Sequence, residues 1–223
     1  MMWSSVQFVG FDTETTGRDP LWAEIVTAAV GEREWLLKPT APIPAEATEI
    51  HGISTETAMA EGVDHARGLA EIREAIDRVW ADGGALCVFN AAYDCTLLDR
   101  ECRRHGLGGF EIRGVVIDPL VIDKQTDRYR RGKRQLINVA EHHGVALPAE
   151  AAHGARADAA AAAGLGEILA RHLPDPAVAN EVQAGWHDEQ LASFADWLHG
   201  KGDPARAAEV LAERGWPLRN GSD

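Results

Sequence analysis

Five residues carry the chemistry this chain could perform: Asp12, Glu14, Asp94, His153 and Asp158. Four are carboxylates, hard oxygen donors that suit Mg2+ or Mn2+. The fifth is an imidazole, which near neutral pH can take a proton from water. Together they describe a site for two divalent cations and a water activated against a phosphodiester. Taken singly, each residue is weak. With 35 acidic residues in 223, chance alone yields roughly five acidic-x-acidic triples, so Asp12-x-Glu14 means little by itself. Asp94 reads as readily as a helix cap, and a lone histidine among nine is ordinarily surface decoration.

The elements around these residues decide the matter. Residues 6–11 are short and apolar and read as a strand that ends in the Thr15-Thr16-Gly17 turn. Side chains alternate along a strand, so Asp12 and Glu14 share one face. Residues 24–30 and 32–37, with Gly31 between them, read as two further strands in a hairpin. The Pro- and Thr-rich stretch 39–63 reads as loop with short helical turns. Leu69, Ile72, Ile76, Val79 and Trp80 recur at helical offsets, giving a helix over 66–81. Strand 85–89 and a helix over 93–104 place Asp94 in a first turn, at the carboxyl end of a strand, where open sheets gather ligands. Residues 115–117 are another strand, closed by Asp118-Pro119, 136–143 a helix, and the alanine-rich run 157–169 a further helix with Asp158 in its first turn. On a continuous helix, five residues separate His153 and Asp158 by about 140°. They can share a site only if Gly154 lets His153 stand off the helix. Strands first, then strands alternating with helices, predict an α/β fold with a mixed sheet flanked by helices.

The bulk numbers bound the function. The net charge of −13 disfavours a broad basic nucleic-acid clamp. It leaves room for an enzyme that engages one end of a polyanion, since bound cations reverse the local field. Against that background, residues 123–134, read as a loop, hold six basic residues to two aspartates, with Tyr129 able to stack on a base. Phosphate contact by Arg128, Arg131 and Lys133 is the expectation there. No apolar run approaches ~18 residues, so no membrane association is expected. Cys87, Cys95 and Cys102 suggest no disulfide framework, and the amino-terminal residues lack a secretion-signal pattern. A cytoplasmic home follows as the expectation.

These residues form a set that resembles the DEDDh 3′–5′ exonucleases. The first motif is Phe11-Asp12-Thr13-Glu14-Thr15-Thr16-Gly17, and His51-Gly52-Ile53 matches a further element. Phe89-Asn90-Ala91-Ala92-Tyr93-Asp94, with Leu97, Leu98 and Glu101, matches the second motif. His153-x4-Asp158 matches the third, and selects the histidine branch. The third motif departs in one respect, because many members carry another acidic residue beside the last aspartate. All four metal-binding carboxylates are nevertheless present.

The resemblance spans roughly residues 6–170 and implies an RNase H-like mixed five-stranded sheet flanked by helices. It implies two Mg2+ or Mn2+ ions on Asp12, Glu14, Asp94 and Asp158, with His153 as general base. Thr13, Thr16, His51, Gly52, Ile53 and Asn90 would then lie near the terminal nucleotide. The implied activity is removal of nucleoside 5′-monophosphates from the 3′ end of single-stranded nucleic acid, DNA favoured, in the manner of repair or proofreading enzymes. A 3′–5′ exoribonuclease trimming short or structured RNA is the rival within the enzyme class. The rival outside it is a module that serves a polymerase or another protein partner. Residues 1–173 are expected to form the exonuclease domain, and residues 174–223 a helical, Trp-rich C-terminal extension. That extension is expected either to fold back on the catalytic unit or to bind such a partner.

Overall fold

Five strands form one sheet in the computed structural model, which describes residues 3–148 and 154–220. Strand β1 (Phe8–Thr15) is central and pairs antiparallel with β2 (Ile25–Val30), which turns at Gly31 into antiparallel β3 (Arg33–Leu36). Two short helices, α1 (Ala45–His51) and α2 (Thr55–Glu61), and a long one, α3 (His65–Ala81), lead to β4 (Ala85–Cys87). β4 lies parallel to β1 on its other side. Helix α4 (Ala91–Arg104) then leads to β5 (Val115–Ile117), parallel to β4, and the order is β3-β2-β1-β4-β5. Helices α5 (Pro119–Thr126), α6 (Leu136–His143) and α7 (Ala155–Leu169) follow. The chain continues into α8 (Ala179–Gly200) and α9 (Pro204–Ala212). This is the mixed, helix-flanked, RNase H-like sheet expected.

The strand period of two sorts the core into two faces. Phe11, Leu86 and Val116 point into a cluster with Leu69, Ile72 and Ile76 of α3 and Leu97 and Leu98 of α4. Their neighbours Ala85, Cys87 and Ile117 point the other way, onto Ile122 of α5, Val139 of α6 and Leu165 and Leu169 of α7.

One sequence reading is corrected. The basic stretch 123–134 is not loop throughout, because α5 runs to Thr126, started by Asp118 as cap and Pro119 in its first turn. Helix α9 falls within residues 174–223, the stretch expected to be helical. The C-terminal segment covers the edge strand β5. Asn180 Oδ1 accepts from the Val116 N–H at 2.9 Å, and Gln183 Nε2 donates to the Val116 carbonyl at 2.8 Å. Side-chain amides of α8 thus satisfy backbone groups that an edge strand would leave open to another chain. Trp216, beyond α9, is buried in the α3–α4 cluster. Among the described residues, no helix is long and apolar enough to cross a membrane.

Candidate active site

The site begins with a glycine. Gly10 lies two residues before Asp12, on the same face of β1, and a Cβ there would stand 1.8 Å from the Ala159 carbonyl oxygen. Its absence lets α7 seat directly on β1. Ala155 and Ala159 pack on Ala29 of β2, the register partner of Asp12. Small residues on both surfaces bring the helix close, and that closeness delivers Asp158 from the first turn of α7 to Asp12 and Glu14. Carboxylate oxygens of these three all lie within 4.8 Å of one another.

Asp94 approaches from the other face of β1. It sits in the first turn of α4, 5% exposed, and accepts a 2.6 Å hydrogen bond from the Thr13 hydroxyl. Thr13 alternates with Asp12 and Glu14, so its side chain reaches α4 while theirs reach α7. Asp94 therefore lies outside the close group of three, although its charge is still felt at Asp12 and Glu14.

Burial and mutual repulsion dominate the electrostatics. Asp12 is raised well above the usual carboxylate range, first by burial and then by the charges of Asp94, Asp158 and Glu14. Glu14 is pushed up to about 7 by burial, then by Asp158 and Asp94. Asp94 is pushed up to about 7 mainly by burial, against the Thr13 hydrogen bond. Crowded, partly desolvated carboxylates hold protons unless a cation supplies the balancing charge. The donor set fits a hard divalent cation, because it is all oxygen and lies within one ion's reach.

The groove beside this cluster has a volume of about 710 Å3 and is lined by Glu14, Thr16, His51, Asn90 and Tyr93, among others. His51 Nδ1 accepts from the Ile53 N–H at 3.1 Å, while its buried Nε2 meets no partner among the described residues. Burial holds its pKa below the usual histidine value. The neutral ring therefore keeps one N–H to offer a ligand. Gly52 is the left-handed C-cap of α1, with φ of 76°, and Ile53 packs inward on Val26 and Ile43. These two residues shape the turn that presents His51.

Asn90 has a positive φ of 72°, a conformation that asparagine tolerates better than most residues. Its N–H and that of Ala91 donate to the two carboxylate oxygens of Asp118. Asp118 also accepts from Leu120 N, Val121 N and Trp216 Nε1. It therefore caps α4 and α5 together and ties the C-terminal segment to the helix that carries Asp94. Sequence reading treated Asp118-Pro119 only as the close of a strand, and the Asp-Pro pair after an apolar run was the available signal. Tyr93 was also passed over as a site residue. Its hydroxyl bonds the Gly17 carbonyl and the Thr15 hydroxyl, bracing the turn after β1.

The basic segment divides into two groups. Buried Asp123 takes Arg130, Arg134 and His143 as partners. Burial opposes its charge, yet these partners outweigh it and hold its pKa below the ordinary value. Two of the six cations are thereby structural. Arg131 and Lys133 are exposed and line neither cavity described here, whereas Arg128 borders a second cavity. His153 lies outside the described residues.

Comparison with known proteins places these features in a family. The exonuclease family model, of RNase T type, matches residues 9–165. An uncharacterised exonuclease, CP81, of Escherichia phage 186 is 32% identical over 184 residues, covering 76% of this chain and 91% of its own. A DNA polymerase III subunit epsilon-like protein of Rhodobacter capsulatus is 33% identical over 179 residues, covering 75% of this chain but only 24% of its own. Among solved structures, E. coli exonuclease I in complex with a dT13 oligonucleotide superposes with a TM-score of 0.58 at 16% identity. That match covers 74% of this chain and 41% of the other. Exonuclease I of Methylocaldum szegediense gives a TM-score of 0.60 at 20% identity, over 82% of this chain and 44% of its own. At such identities these structures establish the shared fold. The chain spans under half the length of the exonuclease I chains and about a quarter of the epsilon-like protein.

Proposed function

The chain belongs to the exonuclease family, and from that premise we propose a metal-dependent 3′–5′ exonuclease that acts on single-stranded nucleic acid, DNA favoured. The observation that carries this reading is the meeting of Asp12, Glu14 and Asp158 within 4.8 Å, beside a groove lined by Glu14, His51 and Asn90. Asp12, Glu14 and Asp158 would hold one Mg2+ or Mn2+, and Asp12, with indirect help from Asp94, a second. Ions of this class polarise the scissile phosphate and offset the charge left on the departing 3′ oxygen.

The chain's own residues do the rest. His51 offers its free N–H to the terminal nucleotide, with Thr16 and Asn90 along the same wall. Thr13 holds Asp94 in place. His153 takes a proton from the attacking water as its oxygen bonds phosphorus. The bond from phosphorus to the 3′ oxygen then breaks, and that oxygen is protonated, releasing a nucleoside 5′-monophosphate. Preference for DNA is supported by the exonuclease I complexes, whose bound oligomers are deoxynucleotides. The module reading is weaker, because Trp216 and Gln183 of the C-terminal segment are spent on internal packing.

A time course on 3′- and 5′-labelled oligonucleotides, DNA and RNA, with Mg2+, Mn2+ or EDTA, tests the proposal. Expected are stepwise loss from the 3′ end, a faster rate on DNA and no digestion in EDTA. Endonucleolytic cuts, 5′ polarity or full activity in EDTA would overturn it.

A further inference from the structure

Asn90 borders two cavities. One is the groove beside Glu14 and His51. The other, about 590 Å3, lies between α5 and the C-terminal helices, within the range of ~300–1,000 Å3 typical of ligand sites. Lys124 of α5 and Arg128 line one side of it, and His187, Phe194 and Trp197 of α8 the other, with Arg219 also on its wall. The residues of α8 and Arg219 lie beyond residue 165, where the family match ends.

Three features suit this cleft to a polynucleotide. Phe194 and Trp197 stack on each other with ring centroids 5.8 Å apart, yet remain 45% and 56% exposed. Exposed aromatic faces are what unpaired bases stack on, whatever their sequence. Four cations line the wall, the fourth being Arg134, which is already held by buried Asp123; Arg128 and Arg219 face the lining carboxylates Glu189 and Glu213 at 3.9 and 3.4 Å. With Asp123 counted, four cations stand against three carboxylates, which leaves one net positive charge at the cleft on a chain of net charge −13. Third, the walls are held in place: Gln190 Nε2 of α8 donates to the Val121 carbonyl of α5 at 2.9 Å.

We propose that this cleft holds the part of a single strand lying on the 5′ side of the terminal nucleotide. Phosphates lie against Lys124, Arg128 and Arg219, and bases lie against the Phe194–Trp197 pair. The strand passes Asn90 to put its 3′ end in the groove. The inference rests on the exonuclease reading for its direction, but binding to the cleft needs no catalysis.

The test is fluorescence anisotropy in EDTA, where the carboxylate site cannot act. The probes are a labelled oligothymidylate of about 12 nucleotides and a labelled trinucleotide. The intact chain binds the longer probe more tightly. Trp197→Ala and, independently, Arg128→Glu each weaken that binding about tenfold, equivalent to ~1.4 kcal/mol, and erase the advantage of length. Both side chains are largely exposed, and circular dichroism with thermal melting confirms the fold. Equal binding by parent and variants overturns the proposal, as does an equal loss on both probes. Capture of a protein by the aromatic pair without any effect on the longer probe overturns it too. A parent that binds as expected but digests nothing in Mg2+ or Mn2+ sinks the catalytic reading and leaves the cleft standing.

Discussion

Asp12 and Glu14 are costly residues to place side by side in a partly desolvated groove, and that cost makes them sensors of cation and proton alike. Glu14 has its pKa raised from 4.5 to about 7, so between those values the folded chain binds more protons than the unfolded one. Stability without metal therefore falls as pH rises through that window. Mg2+ or Mn2+ at about 100 times its Kd should add ~2.7 kcal/mol, or roughly 5–10 °C in Tm, and more at pH 8 than at pH 5. A thermal melt with and without the ion checks this, and Asp12→Asn should remove the gain together with digestion. His153→Ala, which removes the proposed base, should slow digestion by ~10²-fold or more, with a flattened pH–rate profile. His65 titrates away from the site. Burial opposes its charge, but its contact with Glu101 at 2.7 Å outweighs this and raises its pKa. Arg104 also faces Glu101, at 3.8 Å, and His105 stacks on His65. The stabilisation is full below the unfolded value of 6.5 and lost as pH rises through the folded value. The Tm deficit of His65→Gln should accordingly be largest in acid and shrink toward pH 9.

Helix α7 works because nothing stands between it and β1. At Gly10 even a methyl group would collide with the Ala159 backbone, and a backbone atom cannot turn aside as a side chain can. Gly10→Ala should destabilise the fold by ~1–3 kcal/mol, measured by urea unfolding. It should also slow digestion beyond what the stability loss explains, because the displaced helix carries Asp158. A variant with full activity and unchanged midpoint would remove this account of how the site is assembled. The alanine run that makes the close approach possible was legible as a helix. Helix α5 was not, since Pro119 and the charges after it read as a turn and a loop, and buried Asp123 gathers those charges only once the chain has folded.

Across the whole molecule, the C-terminal segment is part of the catalytic unit's structure. Asp118 is almost fully buried and accepts from both ends of the fold, including Trp216 Nε1 at 3.2 Å. Trp216→Phe takes one donor from that carboxylate and should cost ~1–3 kcal/mol. A differential scan would show the loss, and a slower exonuclease rate would show that the cap on α4 had loosened. The sequence by itself determined the sheet and the main helices, because strand alternation and helical period are local properties written in neighbouring residues. It could not determine which charges in the basic segment are tied to Asp123, that Asp94 reaches β1 through Thr13, or that Trp216 closes on Asp118. Those are contacts between residues far apart in the chain, and only packing in three dimensions selects them.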